Sequence, residues 1–331
     1  MAYLIYAKMV DPRRIMAVTF TNKAANEMKQ RLMELSREII EDPTLPTKNE
    51  LLRPTDLKWV GTFHSLFLKI LKEDIDKYTP DTVTDQHTHY RTSFSIYDSG
   101  ESESVIKAIL KEKGRQDIVK HKDVKAIISQ WKNRGTSVSQ ALKTCTSDTE
   151  EYAALTYELY QKELINANAL DFDDLLYIPH KLFHQSQEVL AKWQEKFDYI
   201  MVDEAQDTNQ IQFELMLKLS KKCNNVTLIG DDYQSIYRRR GAVMDNFLNV
   251  DRYWSDIQIF KLQINYRSRP HIVSAGQHLI GHNTNQYTKN ITAYRTGDDT
   301  IKLFIFADEY EEARHIVGMI SKMKSDKGAN W

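Results

Sequence analysis

Cysteine is nearly absent from this 331-residue chain: Cys145 and Cys223 are the only two, and no CxxC pair occurs. That excludes a disulfide scaffold and a cysteine-based zinc site, and it fits a reducing, cytoplasmic setting. No second His or Cys stands at ligand spacing from His64, so no zinc is expected. Long apolar runs are missing too. No stretch reaches the roughly 18 apolar residues of a spanning helix, so no membrane partner is expected. The opening Met1–Val10 has no basic n-region and no small-residue cleavage site. It reads as the tail of an amphipathic helix without a cap before it, as though the opening were cut. Net charge is missing as well, since 45 Lys+Arg stand against 46 Asp+Glu. A protein that coats polyanions through its overall field is thereby excluded, and any such partner must meet a local patch. Glycine is sparse: none of the 11 glycines is followed by lysine, so GxxxxGK[ST] does not occur.

What is present is the mixture of a folded chain, with 41% hydrophobic and 27% charged residues. The length suggests two or three domains. Short apolar or β-branched runs predict strands at Ile15–Phe20, Trp59–Phe63, Tyr199–Val202, Val226–Ile229, Ile257–Leu262 and Ile301–Phe306. Each is followed by a helical pattern: Lys23–Ile40, His64–Ile75, Ile211–Ser220, Asp245–Trp254, Pro270–His282 and Glu309–Lys322. Strand and helix in alternation predict a parallel sheet covered by helices. Ser36–Asp56, with three prolines, reads as a surface loop.

Between about Ser99 and Ala169 the strand signal stops. Ser104–Lys113, Lys122–Lys132 and Glu151–Asn166 carry helical periodicity, which predicts an all-helical insertion. Lys107–Arg134 holds nine Lys/Arg and three Asp/Glu, the densest basic stretch of the chain. Two readings stand: a solvated helix face, or a surface facing phosphates.

Several strand ends carry chemistry. Phe197–Asp207 runs from an apolar strand into adjacent carboxylates, Asp203 and Glu204, at the edge where α/β sheets bind ligands. The first acid can hold Mg²⁺ and the second can deprotonate a water. Val226–Tyr237 repeats the pattern with Asp231, Asp232 and Gln234, and a Gln there can sense a γ-phosphate. Arg267, just past a further strand, offers a planar, permanently charged fork for phosphoryl oxygens; a plain salt bridge is the other reading. Thr19–Met28 and Gly61–Ser65 turn from strand into helix, where exposed N–H groups and Thr62 can hold backbone phosphates. Phe20, Phe63 and Tyr237 are either base-stacking platforms or core aromatics, and His64 is a capping or packing residue unless others join it.

Taken together, these stretches resemble the UvrD/Rep/PcrA family of superfamily 1 DNA helicases. AVTFTNKAANEM resembles motif Ia, GTFHS motif Ib, and DFDDLL at Asp171–Leu176 the short motif before Walker B. VDEAQDTN resembles motif II, GDDYQSIYRRRGA motif III and NYRS motif IV, all in the family's order. The resemblance implies an α/β fold: a RecA-like, P-loop NTPase-type parallel sheet with an all-helical insertion and the start of a second RecA-like domain. It implies domain 1A over residues 1–97 and 171–262, a 1B-like insertion over 98–170, and the start of 2A over 263–331. The implied activity is ATP-driven movement along single-stranded DNA, 3′ to 5′, with duplex unwinding at a junction in repair or replication. Asp203 would hold Mg²⁺ and Glu204 would be the catalytic base. Gln234 would contact the γ-phosphate and Arg267 would be an arginine finger. Phe20, Thr62, His64 and Tyr237 would lie along the DNA, with Phe63 beside them.

Three departures accompany the resemblance. The phosphate loop, with its Lys and its Mg²⁺-binding Ser/Thr, does not occur, and neither do motifs V and VI. Arg239 stands where the family has a base-stacking Trp; it can stack through cation–π contact over a smaller area. The expectation is therefore a helicase portion whose isolated chain hydrolyses ATP negligibly. The alternative is a catalytically inactive remnant that at most binds nucleic acid, RNA being a lesser option than DNA.

Overall fold

The computed structural model describes residues 1–42, 50–80, 89–235, 244–254, 256–297 and 300–327. They form two compact units, Met1–Ile257 and Gln258–Trp331. In the first, a short helix α1 (Ala2–Tyr6) precedes strand β1 (Ile15–Thr19), whose five residues are all buried. Helix α2 (Asn22–Glu41) starts where Thr21 Oγ1 accepts the Ala24 N–H at 3.1 Å, and it ends within the segment expected to be a loop. Strand β2 (Val60–Thr62) leads into α3 (Phe63–Asp74), capped by Thr62, whose Oγ1 accepts the Ser65 N–H.

The helical insertion then follows. A two-residue strand β3 (Ser95–Ile96) leads to α4 (Ser99–Glu112), opened by a capping box between Asp98 and Glu101. After it come α5 (His121–Asn133), α6 (Val138–Thr144) and α7 (Asp148–Asn166). Strand β4 (Ala169–Leu170) returns the chain and pairs in parallel with β3, closing the neck of the insertion. The insertion has a core of its own, in which Ile106, Leu110, Val124, Ile128, Tyr157 and Leu164 pack together. Three of its helices are legible in the sequence periodicity; the short α6 is not.

Two helices absent from the expectation come next, α8 (Asp174–Gln185) and α9 (Gln187–Lys196). Pro179 inside α8 interrupts the helical signal, because it lacks the N–H that an interior position needs. Strand β5 (Tyr199–Val202), α10 (Gln210–Ser220), β6 (Val226–Leu228) and α11 (Met244–Leu248) complete the unit. The helix expected over Asp245–Trp254 is thus broken, its second half being a 3₁₀ turn at Val250–Arg252. β1, β2, β5 and β6 form one parallel sheet in the order β2-β1-β5-β6. Its main core joins Val18, Trp59, Phe67, Trp193, Phe197 and Val202 to α3, α8 and α10.

The second unit holds β7 (Ile264–Asn265), α12 (Pro270–Ile280), β8 (Thr292–Ala293) and α13 (Glu309–Lys327). β7 and β8 pair in parallel through two residues each. The strands expected at Ile257–Leu262 and Ile301–Phe306 do not form; both segments carry no regular structure. A strand exists only beside a hydrogen-bonding neighbour, and none lies beside them among the described residues. Their apolar side chains stay in solvent, Leu262 and Ile305 among them, and no described residue from 258 to 325 is buried.

Candidate nucleotide and nucleic-acid site

The register of the sheet brings four strand ends to one edge. Thr19 lies opposite Thr62, Val18 opposite Val202, and Val202 opposite Leu228. The residues that follow each strand therefore line up across the sheet. Thr62–His64 and Phe20 occupy the β2–β1 half, and Asp203, Glu204 and Asp231 the β5–β6 half. Ligand sites in parallel α/β sheets form at such an edge.

On the acidic half, the Asp203 N–H donates to Val18 O at 2.9 Å, tying the loop to the neighbouring strand. Asp203 also lines an apolar groove of about 450 Å³ beside α2, with Met28, Leu35, Met201 and Ile229. Burial there, together with the Glu204 charge, pushes the Asp203 carboxyl above its ordinary range. Asp207 is raised for the same two reasons. Glu204 is exposed and sits at φ 53°, ψ 41°, a left-handed conformation that costs a residue with a Cβ about 1–2 kcal/mol. Met9, Asn168 and Asn224 share that conformation, so it is the place of Glu204 beside Asp203 at the sheet edge that draws it into the site.

Gln206, 1% exposed, holds this loop from below. Its Nε2 donates to Glu204 Oε2 at 2.8 Å, and its Oε1 accepts the Asp231 N–H at 3.0 Å. Gln234, which is exposed, continues the chain by donating to Asp231 Oδ2 at 2.8 Å. Glu204, Gln206, Asp231 and Gln234 are thereby linked in series. Gly230 leaves the room for it, because a Cβ there would stand 2.5 Å from Gln206 Oε1. The sequence pattern does not single out Gln206; its one signal is an amide two residues past the acid pair, on a turn with no apolar partner.

The Asp203–Glu204 pair suits Mg²⁺, which keeps most of its waters and binds through one or two carboxylates plus substrate phosphates. Among the described residues no group of three or more His, Cys, Asp and Glu could hold a metal alone. The pair thus fits the metal end of a nucleotide, while no loop for the phosphates occurs in the sequence.

On the other half, Phe20 is 37% exposed at the start of α2, and Thr62 caps α3. Phe63 points the other way: it is buried in the main core, stacked on Phe67, which removes it from the stacking surface. His64 lies under Phe172, the rings 3.9 Å apart at their centroids and 19° from parallel. Burial pushes the His64 imidazole down to about 4, so it is neutral at pH 7. Phe172 is 59% exposed, an aromatic face turned to solvent. It lies inside DFDDLL, where nothing in the local pattern marks it as a platform. Tyr237 and Arg239 lie outside the described residues.

Arg267 belongs to the second unit. It is exposed, and its N–H donates to Asn265 Oδ1 at 2.9 Å, in a turn that also takes the Ser268 N–H. Of the basic stretch, Lys107, Lys111, Lys113, Lys120, Lys122 and Arg134 are all exposed, Arg134 closing α5. Lys132 differs from all of them: its Nζ is paired with Asp171 and Asp174 at 2.7 and 2.8 Å, with the side chain wholly buried. The phosphate-facing reading therefore does without that residue.

Comparison with known proteins places the chain beside helicases. The profile of the UvrD/REP helicase N-terminal domain matches residues 1–254, and that of the UvrD-like helicase C-terminal domain matches residues 260–330. The ATP-dependent DNA helicase PcrA of Bacillus subtilis is 36% identical over 98% of this chain and 41% of its own length. A probable DNA helicase II homolog of Mycoplasma capricolum is 34% identical over 97% of this chain and 42% of its own. The ATP-dependent DNA helicase Rep of Buchnera aphidicola (subspecies Acyrthosiphon pisum) is 34% identical, over 98% and 47%. The chain thus spans less than half the length of these relatives.

Proposed function

This chain belongs to the UvrD/REP helicase family, and we propose that it is the ATP- and DNA-engaging portion of a helicase that couples ATP hydrolysis to movement along single-stranded DNA. The observation that carries the reading is the shared sheet edge: the acid pair follows β5 and Phe20 follows the adjoining β1, while His64, just past β2 at the same edge, stacks on Phe172. Residues 1–97 and 171–262 serve as domain 1A, 98–170 as the 1B-like insertion, and 263–331 as the start of 2A. The direction is 3′ to 5′, the substrate a single strand with a duplex junction, and the setting repair or replication.

Bound Mg²⁺–ATP supplies the phosphoryl group to be transferred. Asp203, whose carboxyl burial and Glu204 push up, would hold the metal side of the nucleotide, where a cation would favour its charged form. Glu204, aimed by Gln206, takes a proton from the attacking water at its free carboxylate oxygen. Gln234 senses the γ-phosphate through the series that ends on Glu204, and Arg267 acts as an arginine finger. The single strand stacks on Phe172, supported by His64, and passes Phe20, while Thr62 and the first turns of α2 and α3 meet its phosphates. Tyr237 and Arg239, outside the described residues, are carried over as further DNA contacts from the resemblance alone.

Fluorescence anisotropy with a labelled oligothymidine, and a DNA-stimulated ATPase assay, test the reading. Salt-dependent single-strand binding supports it. Turnover is expected only in a form that carries a phosphate loop; binding without turnover even there supports the narrower role of nucleic-acid binding alone, and no binding to single or tailed strands overturns both.

A further inference from the structure

The sequence Asp171-Phe172-Asp173-Asp174 puts three carboxylates around one aromatic, in a turn at the start of α8. Two consecutive residues at the end of α5 account for all three. Lys132 Nζ pairs with Asp171 Oδ2 at 2.7 Å and with Asp174 Oδ1 at 2.8 Å. Asn133 Nδ2 donates to Asp173 Oδ1 at 2.8 Å. Tyr160 Oη donates to Asp171 Oδ2 at 3.0 Å, and the Asp171 and Asp174 backbones cap each other's carboxylates. Lys132 and Asp174 have no exposed side-chain surface. With every acid of the turn drawn inward, the intervening Phe172 is turned outward, onto the His64 ring.

Asn133 also reaches the acidic half of the edge. Its Oδ1 accepts from Asn209 Nδ2 at 2.7 Å, and Asn209 caps α10 directly after the Asp203–Asp207 loop. One side chain of the insertion thus touches both the aromatic turn and the helix that follows the acid pair. Buried ion pairs are costly to assemble and are best attested as devices that fix one arrangement among several.

We propose that Lys132 and Asn133 form a positioning clamp through which the helical insertion holds Phe172 over His64. The clamp rests on the reading above only for its purpose, the presentation of a stacking face to a single strand. The insertion then sets single-strand affinity from inside the protein, apart from any duplex that its exposed lysines meet.

The test uses the full chain and two readouts. The first is the His64 ring-proton NMR signal, which Phe172 shifts upfield through its ring current. Asn133→Ala, and Lys132→Met combined with Asp171→Asn and Asp174→Asn so that the buried charges leave together, should each move that signal toward its position in Phe172→Leu. The second is single-strand affinity by anisotropy. Phe172→Ala should weaken binding by about 5- to 150-fold, the range of one base–aromatic stack. Asn133→Ala should weaken it less, and should add nothing in the Phe172→Ala background. An unmoved His64 signal in both clamp variants, or a loss of affinity from Asn133→Ala that persists undiminished without Phe172, overturns the clamp. A moved signal with unchanged single-strand affinity supports the clamp and overturns the DNA track instead.

Discussion

His64 and Phe172 lie face to face, 108 positions apart in sequence but with ring centroids 3.9 Å apart. One ring comes from the turn after β2 and the other from the turn before α8. Neither residue alone is a platform: His64 supplies a neutral, half-buried floor, and Phe172 the exposed face.

Phe20→Ala should weaken single-strand binding in the same direction as Phe172→Ala, each by about 1–3 kcal/mol if it carries one base. Phe63→Ala should instead destabilise the fold by roughly 3–5 kcal/mol, as expected of a buried core aromatic. Anisotropy at a permissive temperature and urea unfolding separate the two outcomes.

The pH dependence of stability should carry two opposite contributions. Burial holds His64 down to about 4, below its ordinary 6.5, so the unfolded chain takes up that proton first as pH falls. Its stabilising contribution is present above pH 6.5 and fades toward pH 4. Asp174 is pushed up to about 7 by burial and by Asp171. Its contribution is present below its ordinary 3.8 and fades as pH rises toward 7. Thermal unfolding from about pH 4.5 to 8 should therefore show His64→Gln losing less stability than wild type on acidification. Asp174→Asn should lose less than wild type as pH rises from about 4.5 to 7.

Gly230→Ala should destabilise by about 1–3 kcal/mol through overpacking, because its Cβ meets Gln206 Oε1 at 2.5 Å and the Phe247 ring at 3.0 Å. The Asp231 N–H should also exchange faster with solvent, since Gln206 is its acceptor. Denaturant unfolding and hydrogen exchange read the two effects separately.

In a form of the enzyme carrying a phosphate loop, Glu204→Gln should abolish hydrolysis and keep nucleotide binding, because an amide cannot take the proton. Arg267→Ala should cut turnover by roughly 10³–10⁵. Nucleotide titration beside a steady-state ATPase assay measures both.

Replacing Lys107, Lys111 and Lys113, all exposed, should weaken binding to a tailed duplex more than to a single strand. The salt slope should shrink by about 0.9 for each phosphate that is no longer neutralised. Anisotropy on both substrates across a salt series gives the answer: equal weakening on both would mean that the insertion is no separate duplex-binding surface, and no weakening on either would return the stretch to a solvated face.

The sequence by itself determined the parallel α/β class, the helical insertion and the acid pair after β5. Those signals are local: apolar runs, helical periods and carboxylates at a strand end are written in neighbouring residues. It also carried the family resemblance in six ordered motifs, since motif order is a property of the chain alone. Only the tertiary structure decided that Phe63 faces the core while Phe172 faces solvent, because both are aromatic residues beside polar ones and burial depends on distant helices. It decided too that Lys132, the apparent member of a basic surface, is an internal counter-ion to Asp171 and Asp174. The apolar runs at Ile257–Leu262 and Ile301–Phe306 read as strands but carry no regular structure, since a ladder needs a partner that no single segment encodes. Charge and apolarity are properties of a residue; pairing and exposure are properties of what the fold brings beside it.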